Sequence, residues 1–152
     1  MSDRTELPAA SRDQLVFLLY EAAELEHCLM WTYLYAAFSL KDGEAEGRSA
    51  TEAAAVARWR RIIIDVAIQE MGHLAAVWNL TSALGGAPRV GRQSFPLDIG
   101  LLPAGIVVRL APFSQNTLQH FIHLERPVDS DEPEATVSRW SATSRARAPT
   151  CA

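Results

Sequence analysis

Cysteine is scarce: Cys28 and Cys151 are the only two in 152 residues, far apart and without paired spacing. That excludes a disulfide framework and a zinc site built on cysteine pairs, and it suits a reduced, cytoplasmic setting. Cys28 falls within a helical stretch and is read as packing. No run approaches the roughly 20 consecutive apolar residues of a membrane helix. The most apolar loop, Ile99 to Phe113, is interrupted by Pro103, Arg109 and Pro112. Positive charge is also in short supply. The formal net charge is -4, with no basic cluster outside the tail, so no nucleic-acid partner is expected. The opening MSDRTELPAAS carries Asp3, Arg4 and Glu6 ahead of any apolar run, and no secretory signal is expected there. The chain has no glycine-rich phosphate loop, no internal repeat and no defensible Ser/His/Asp order.

What is present reads as one globular domain, 49% hydrophobic and 21% charged. Its organising stretch is Trp59 to Leu84. Steps of three and four connect Trp59, Ile62, Val66, Glu70, His73, Val77, Leu80 and Leu84, one face of an α-helix. Arg58, Arg61, Asp65, Gln69 and Asn79 fall on the opposite face and are expected in solvent. A carboxylate and an imidazole therefore stand in the middle of an apolar stripe. Burying them costs several kcal/mol unless they find partners.

Residues 1–10 read as a flexible lead-in. Ser11 to Gln14 has capping-box spacing and should open a helix running to about Leu40. Its stripe is Leu15, Leu19, Ala22, Glu26, Leu29, Tyr33, Ala37 and Leu40, again with an acid inside it. Glu21 and Glu24 fall off that stripe. A polar turn, KDGEAEGR, precedes a second capping box at Ser49 to Glu52. The second helix should end at Gly85-Gly86-Ala87-Pro88. Two long helices with a short turn are expected to be antiparallel neighbours. Counted from that turn, Glu26 and Glu70 differ in height by about 9 Å. Residues 86–113, rich in glycine and proline, read as a long crossover loop with an extended piece at Ile106–Leu110. Ser114 should cap a short third helix, Gln115 to Glu125, on which Leu118, Phe121, Ile122 and Glu125 share a face. His120 and His123 flank it. The tail, 128–152, has the composition of a disordered segment.

Glu70 and His73 form a Glu-x-x-His unit. One helical turn aims both side chains the same way, so a carboxylate oxygen and an imidazole nitrogen can meet one ion. Four-helix dinuclear iron and manganese proteins combine this unit with single glutamates from other helices. The hard oxygens with one imidazole suit iron, with manganese as the second choice. Three helices each place an acid in an apolar stripe, and buried unpaired acids are rare. Blander readings stand beside this one. Glu70 and His73 can be a structural polar pair, Glu26 a partner for an arginine or tyrosine, and Glu125 a helix-end acid beside Arg126. Trp31, Tyr35, Trp59 and Trp78 read as core or interface.

Three blocks in order carry a resemblance. They are ELEHCLMWTYLYAAFSL (Glu24–Leu40), IQEMGHLAAVWNLTSALGGAPRV (Ile68–Val90) and LAPFSQNTLQHFIHLERP (Leu110–Pro127). Together they resemble the ferritin-like domain of the iminophenyl-pyruvate dimer synthase type, found in bisindole-pathway enzymes of bacteria. The resemblance implies an all-α, ferritin-like helical bundle over 11–127, with Glu26, Glu70, His73 and Glu125 matching metal-ligand positions. In some members it also implies oxidative dimerisation of an imine derived from indole-3-pyruvate. The family continues with a further helix carrying another Glu and a His-bearing segment. Here a Ser/Ala/Arg-rich tail follows Pro127 and no second Glu-x-x-His occurs, so a truncated or frame-shifted domain is expected.

Two functions remain open at this level. One is a non-haem metal domain, with iron, performing oxidoreductase-like chemistry on a small metabolite. The other is a metal-free, non-catalytic helical fragment. Either is expected to form a homo-oligomer, because a three-helix fragment leaves an apolar flank uncovered.

Overall fold

Both capping boxes form. Ser11 accepts from the Gln14 N–H at 3.2 Å while the Gln14 side chain accepts from the Ser11 N–H at 2.8 Å. Ser49 and Glu52 make the same reciprocal pair. Each box satisfies backbone donors that a helix start would otherwise leave unpaired. From these points run α1 (Arg12–Phe38) and α2 (Ala50–Ala83), and Ser114 caps α3 (Gln115–Leu124). The computed structural model describes residues 11–41, 43, 46–91, 95–97 and 107–126. The expectations for the lead-in 1–10 and the tail 128–152 lie outside the described residues.

The end of α2 is a Schellman motif. Gly86 N–H donates to the Thr81 carbonyl and Gly85 N–H to that of Ser82, both at 2.9 Å. Gly85 takes φ +74°, which a side chain would resist. Gly86 has no room for one either: a Cβ there would lie 2.9 Å from Thr81 Cγ2.

α1 and α2 pack together as antiparallel neighbours, pinned at both ends by arginines. Arg12 Nε donates to the Leu84 carbonyl at 2.6 Å. At the other end Arg60 reaches the last carbonyls of α1, Ala37 at 3.3 Å and Leu40 at 2.7 Å, where a cation also suits the helix dipole. Residues 50–59 of α2 therefore run on beyond the end of α1. This overhang removes the height mismatch expected from counting outward from the turn. Equal steps inward from the Arg12–Leu84 contact arrive at Glu26 and Glu70.

The core is lined mostly by small side chains: Ala23, Cys28, Ala36 and Ala37 of α1 meet Ile63, Ala67 and Leu74 of α2, with Tyr33 as the large buried ring. Small residues let the helix axes approach closely. Thr32 and Thr81, also buried, return their hydroxyls to the carbonyls of Cys28 and Val77. The buried stripe of α2 is Ile63, Ala67, Glu70, Leu74 and Thr81, rotated from the one expected. Trp59, Ile62 and Leu80 are exposed. The two stripes share the same spacing. Apolar residues lie all around both long helices, so periodicity alone does not select the buried side. Arg58, Arg61, Asp65, Gln69 and Asn79 are exposed as expected.

In the crossover, Leu97 and Val108 exchange both backbone hydrogen bonds at 2.8 and 3.0 Å, the one antiparallel bridge among the described residues of this all-α chain. Phe113 donates its N–H to Ser39 Oγ at 2.6 Å and stacks on Trp59. The chain resolves into two compact units, the first ending at Phe113 and the second starting at Ser114. In the second, Thr117 and Phe121 are the buried face of α3, whereas Leu118, Ile122 and Glu125 are exposed. This corrects the expected shared apolar face: Thr117 and Phe121, four apart, define the buried side.

Candidate metal centre

Glu26 projects from the middle of α1, and Glu70 and His73 project from successive turns of α2. Their ligand atoms all lie within 4.8 Å of one another. His73 Nδ1 is 3.2 Å from Glu70 Oε2 and 3.5 Å from Glu26 Oε2. Exposure is graded across the group. The side chain of Glu70 is 6% exposed, that of Glu26 20% and that of His73 60%. The expectation that His73 lies inside the buried stripe is therefore corrected. It stands on the rim and turns one nitrogen inward. Leu74, one residue on, takes the buried position.

One Nδ1 proton cannot serve two carboxylates. His73 Nδ1 is hydrogen-bonded to Glu70, and the buried Glu26 Oε2 receives no hydrogen bond. Burial, followed by the neighbouring Glu70 carboxyl, pushes the Glu26 pKa up to about 8, against the opposing pull of His73. The His73 pKa is also raised, chiefly by its hydrogen bond to Glu70. Without a cation the cluster thus holds a proton on or beside Glu26. A cation placed among the three donors would compensate the unsatisfied oxygen. Two carboxylate oxygens and one imidazole are a hard, mixed donor set of the kind that holds iron or manganese.

The fourth expected residue, Glu125, belongs to the second unit, where it is exposed and forms the C-cap of α3. The three-residue group does not include it. Cys28 is fully buried and its thiol is pushed up to about 11 by that burial, in keeping with packing rather than chemistry.

Ferritin-like proteins match this chain over residues 19–151. The chain belongs to the ferritin-like family. The ferritin-like match runs beyond Pro127 into the tail. A curated relative is the 2-imino-3-(indol-3-yl)propanoate dimerase of Chromobacterium violaceum, 33% identical over 141 residues. That alignment covers 77% of this chain and 13% of the relative, so the chain spans about an eighth of the length of the enzyme it resembles. No solved structure matches significantly. Among the described residues no helix is long and apolar enough to cross a membrane.

Sequence reasoning did not find a cleft beside the cluster. It is lined by Tyr20, Ala23, Glu24 and His27 on α1, by Leu74 and Trp78 on α2, and by Arg89, Val90 and Gly91 beyond it. Trp78 had read as core or interface, and Glu24 as lying off the apolar stripe of α1. The available signal was spacing: Tyr20, Ala23 and Glu24 fall on one face of α1.

Proposed function

We propose that this ferritin-like domain holds a non-haem metal, iron, at Glu26, Glu70 and His73, and supports oxidoreductase-like chemistry on a small metabolite. The observation that carries the reading is the convergence of three ligand atoms within 4.8 Å of one another, one of them the buried Glu26 Oε2, which receives no hydrogen bond. When bound, the metal supplies redox and Lewis-acid chemistry. The protein's own part is positional. Glu70 is buried and fixes the His73 ring through Nδ1, while the exposed side of His73 leaves the cluster open to solvent on one flank. Glu26, with its raised pKa, gives up a proton as a cation enters and takes one as it leaves. The relative is named for acting on an imino-propanoate bearing an indole. An imine-bearing or amine-bearing aromatic carboxylate is accordingly the metabolite class we assign.

The test is iron and manganese content per chain, measured on protein supplied with both metals and purified without chelator. About one ion per chain, lost in Glu70→Ala, is the expected result. A well-folded protein without metal under those conditions would overturn the assignment. Glu125→Gln in the same measurement asks whether the exposed acid of α3 contributes.

A second reading, the metal-free fragment that self-associates, is favoured by Phe38 at 73% and Ile62 at 62% exposure, with Phe17, Trp31 and Trp59 also open to solvent. Exposed apolar residues mark an interaction surface where they form one contiguous patch. Light scattering of the wild type and of Phe38→Ser/Ile62→Ser tests it: a homo-oligomer that becomes a monomer supports it, and a wild-type monomer sinks it. Metal content separates the two readings.

A further inference from the structure

α2 carries two stripes with apolar residues and buries only one of them. The buried one runs through Ile63, Ala67, Glu70, Leu74 and Thr81. Beside it runs a second: Ile62, Val66, Gln69, His73, Ala76 and Leu80, in helical steps of four and three. This second stripe is uncovered. Ile62 is 62% and Leu80 56% exposed, Gln69, His73 and Ala76 are exposed, and Val66 is half-buried. A helix with apolar residues on two sides calls for cover on both.

The open stripe has an internal symmetry. Ile62 stands nine residues before Met71 and Leu80 nine after it. Val66 and Ala76 stand five before and five after, Gln69 and His73 two before and two after. The order is apolar, apolar, polar, polar, apolar, apolar, and it reads the same in either direction. An antiparallel helix carrying the same stripe sets apolar groups on apolar groups and a carboxamide on an imidazole. A second copy of this chain, related by a two-fold axis, supplies that helix, because such an interface pairs one patch with itself. A foreign partner would not require the order to mirror itself about Met71.

We propose that α2 pairs antiparallel with α2 of a second copy about a two-fold axis level with Met71, and that the partner's Gln69 closes the open flank of the Glu26–Glu70–His73 group. The open flank is the His73 side, since that side chain is 60% exposed while those of Glu26 and Glu70 are mostly covered. His73 Nδ1 is engaged with Glu70, which leaves Nε2 for a group on the open side. A carboxamide both donates and accepts, so it matches Nε2 in either protonation state. The stripe spans about 27 Å of helix. A single helix pair of that length lies at the small end of specific interfaces, so the dimer should form at micromolar chain concentration. Pairing needs no metal. Only the role given to Gln69 rests on the reading of the three-residue group as a metal site.

The experiment uses the full chain with Cys151→Ser, which serves as the blank. Val66→Cys and Ala76→Cys are made separately in that background and oxidised with diamide, alone and mixed. The mixture should cross-link and neither chain should link to itself, because position 66 of one copy and position 66 of the other lie about 15 Å apart along the axis, beyond disulfide reach. In sedimentation velocity Ile62→Glu and Leu80→Lys should each weaken the dimer about tenfold or more. The two changes together should restore it, since the new charges meet across the axis. Both positions are exposed in the single chain, and thermal melting checks that the variants fold. Gln69→Ala should release bound manganese to EDTA about tenfold faster, as loss of a group supporting a metal-ligating imidazole does. A monomer throughout the micromolar range, self-linking as strong as mixed linking, or a double charge variant no better than the single ones overturns the interface. The expected cross-links in a chain that takes up no metal uphold the interface and overturn the metal assignment together with the role of Gln69. An unchanged release rate in an intact dimer overturns that role alone.

Discussion

Glu26 and Glu70 sit on different helices and share one imidazole nitrogen, His73 Nδ1, at 3.5 and 3.2 Å. Nδ1 has one proton to give, Glu70 takes that hydrogen bond, and the buried Glu26 Oε2 receives none. Replacing Glu70 by Ala removes a crowding carboxyl beside Glu26. The Glu26 pKa, now about 8, should fall. Carbon-detected titration of the glutamate carboxyls reads this directly, and a Glu26 value that stays put would show that burial alone sets it.

The pH dependence of the metal-free protein has a fixed sign. Glu26 binds its proton more tightly when folded, its pKa rising from 4.5 to about 8. The stability this gives is fully present below pH 4.5 and is lost as pH climbs toward 8. His73, also raised, contributes in the same direction, since its folded-state gain is lost as pH rises through its elevated pKa. Urea unfolding at a series of pH values should therefore show the apoprotein weakening from acid to neutral pH. Glu26→Gln should flatten most of that slope. Metal uptake should run the other way, strengthening over the same window and releasing protons measurable in weakly buffered solution.

Gly86→Ala should destabilise more than an ordinary surface change. The new Cβ would meet Thr81 Cγ2 at 2.9 Å, the Thr81 carbonyl oxygen at 3.2 Å and Val16 Cγ1 at 3.3 Å. A loss of about 1–3 kcal/mol is expected from such overpacking. Gly85→Ala, which strains a backbone at φ +74°, should cost about 1 kcal/mol. Denaturant midpoints with unchanged slopes would verify both.

Arg60→Met keeps most of the apolar stem and removes the donors to the Ala37 and Leu40 carbonyls. The expected loss is roughly 1–2 kcal/mol, with Arg60→Lys recovering part of it through charge. Amide exchange in the last turn of α1 should accelerate in the Met variant before it does elsewhere. Uniform acceleration would mean that Arg60 acts on the whole fold instead.

The legible part of this protein was local. Serine caps, the glycine stop after α2 and the Glu-x-x-His spacing are each settled by chemistry within a few residues of the chain, and all appear where the sequence puts them. The stripe of α2 was not legible, because Ile62 and Ile63, or Trp59 and Ala67, are apolar alike and only packing decides between them. His73 and Leu74 exchanged places for the same reason. The level of Glu26 against Glu70 depended on an overhang that no turn signal encodes. It is fixed by Arg60, a residue that reads as one more surface cation. Arg89 and its cleft needed the third dimension outright, since the loop carrying them has no periodicity to extrapolate.

The arginines at the two ends of the α1–α2 pair act as stops at both ends of a ruler. A slip of one helix past the other by a turn, about 5.4 Å, would break the Arg12 and Arg60 contacts together. Shear is therefore closed to this pair as a way of adjusting the gap in which Glu26, Glu70 and His73 meet. Accommodation of an ion of different radius, or its escape, falls to side-chain rotation. His73 is the one member with open space to rotate into, which makes that ring the moving part of an otherwise stationary gauge.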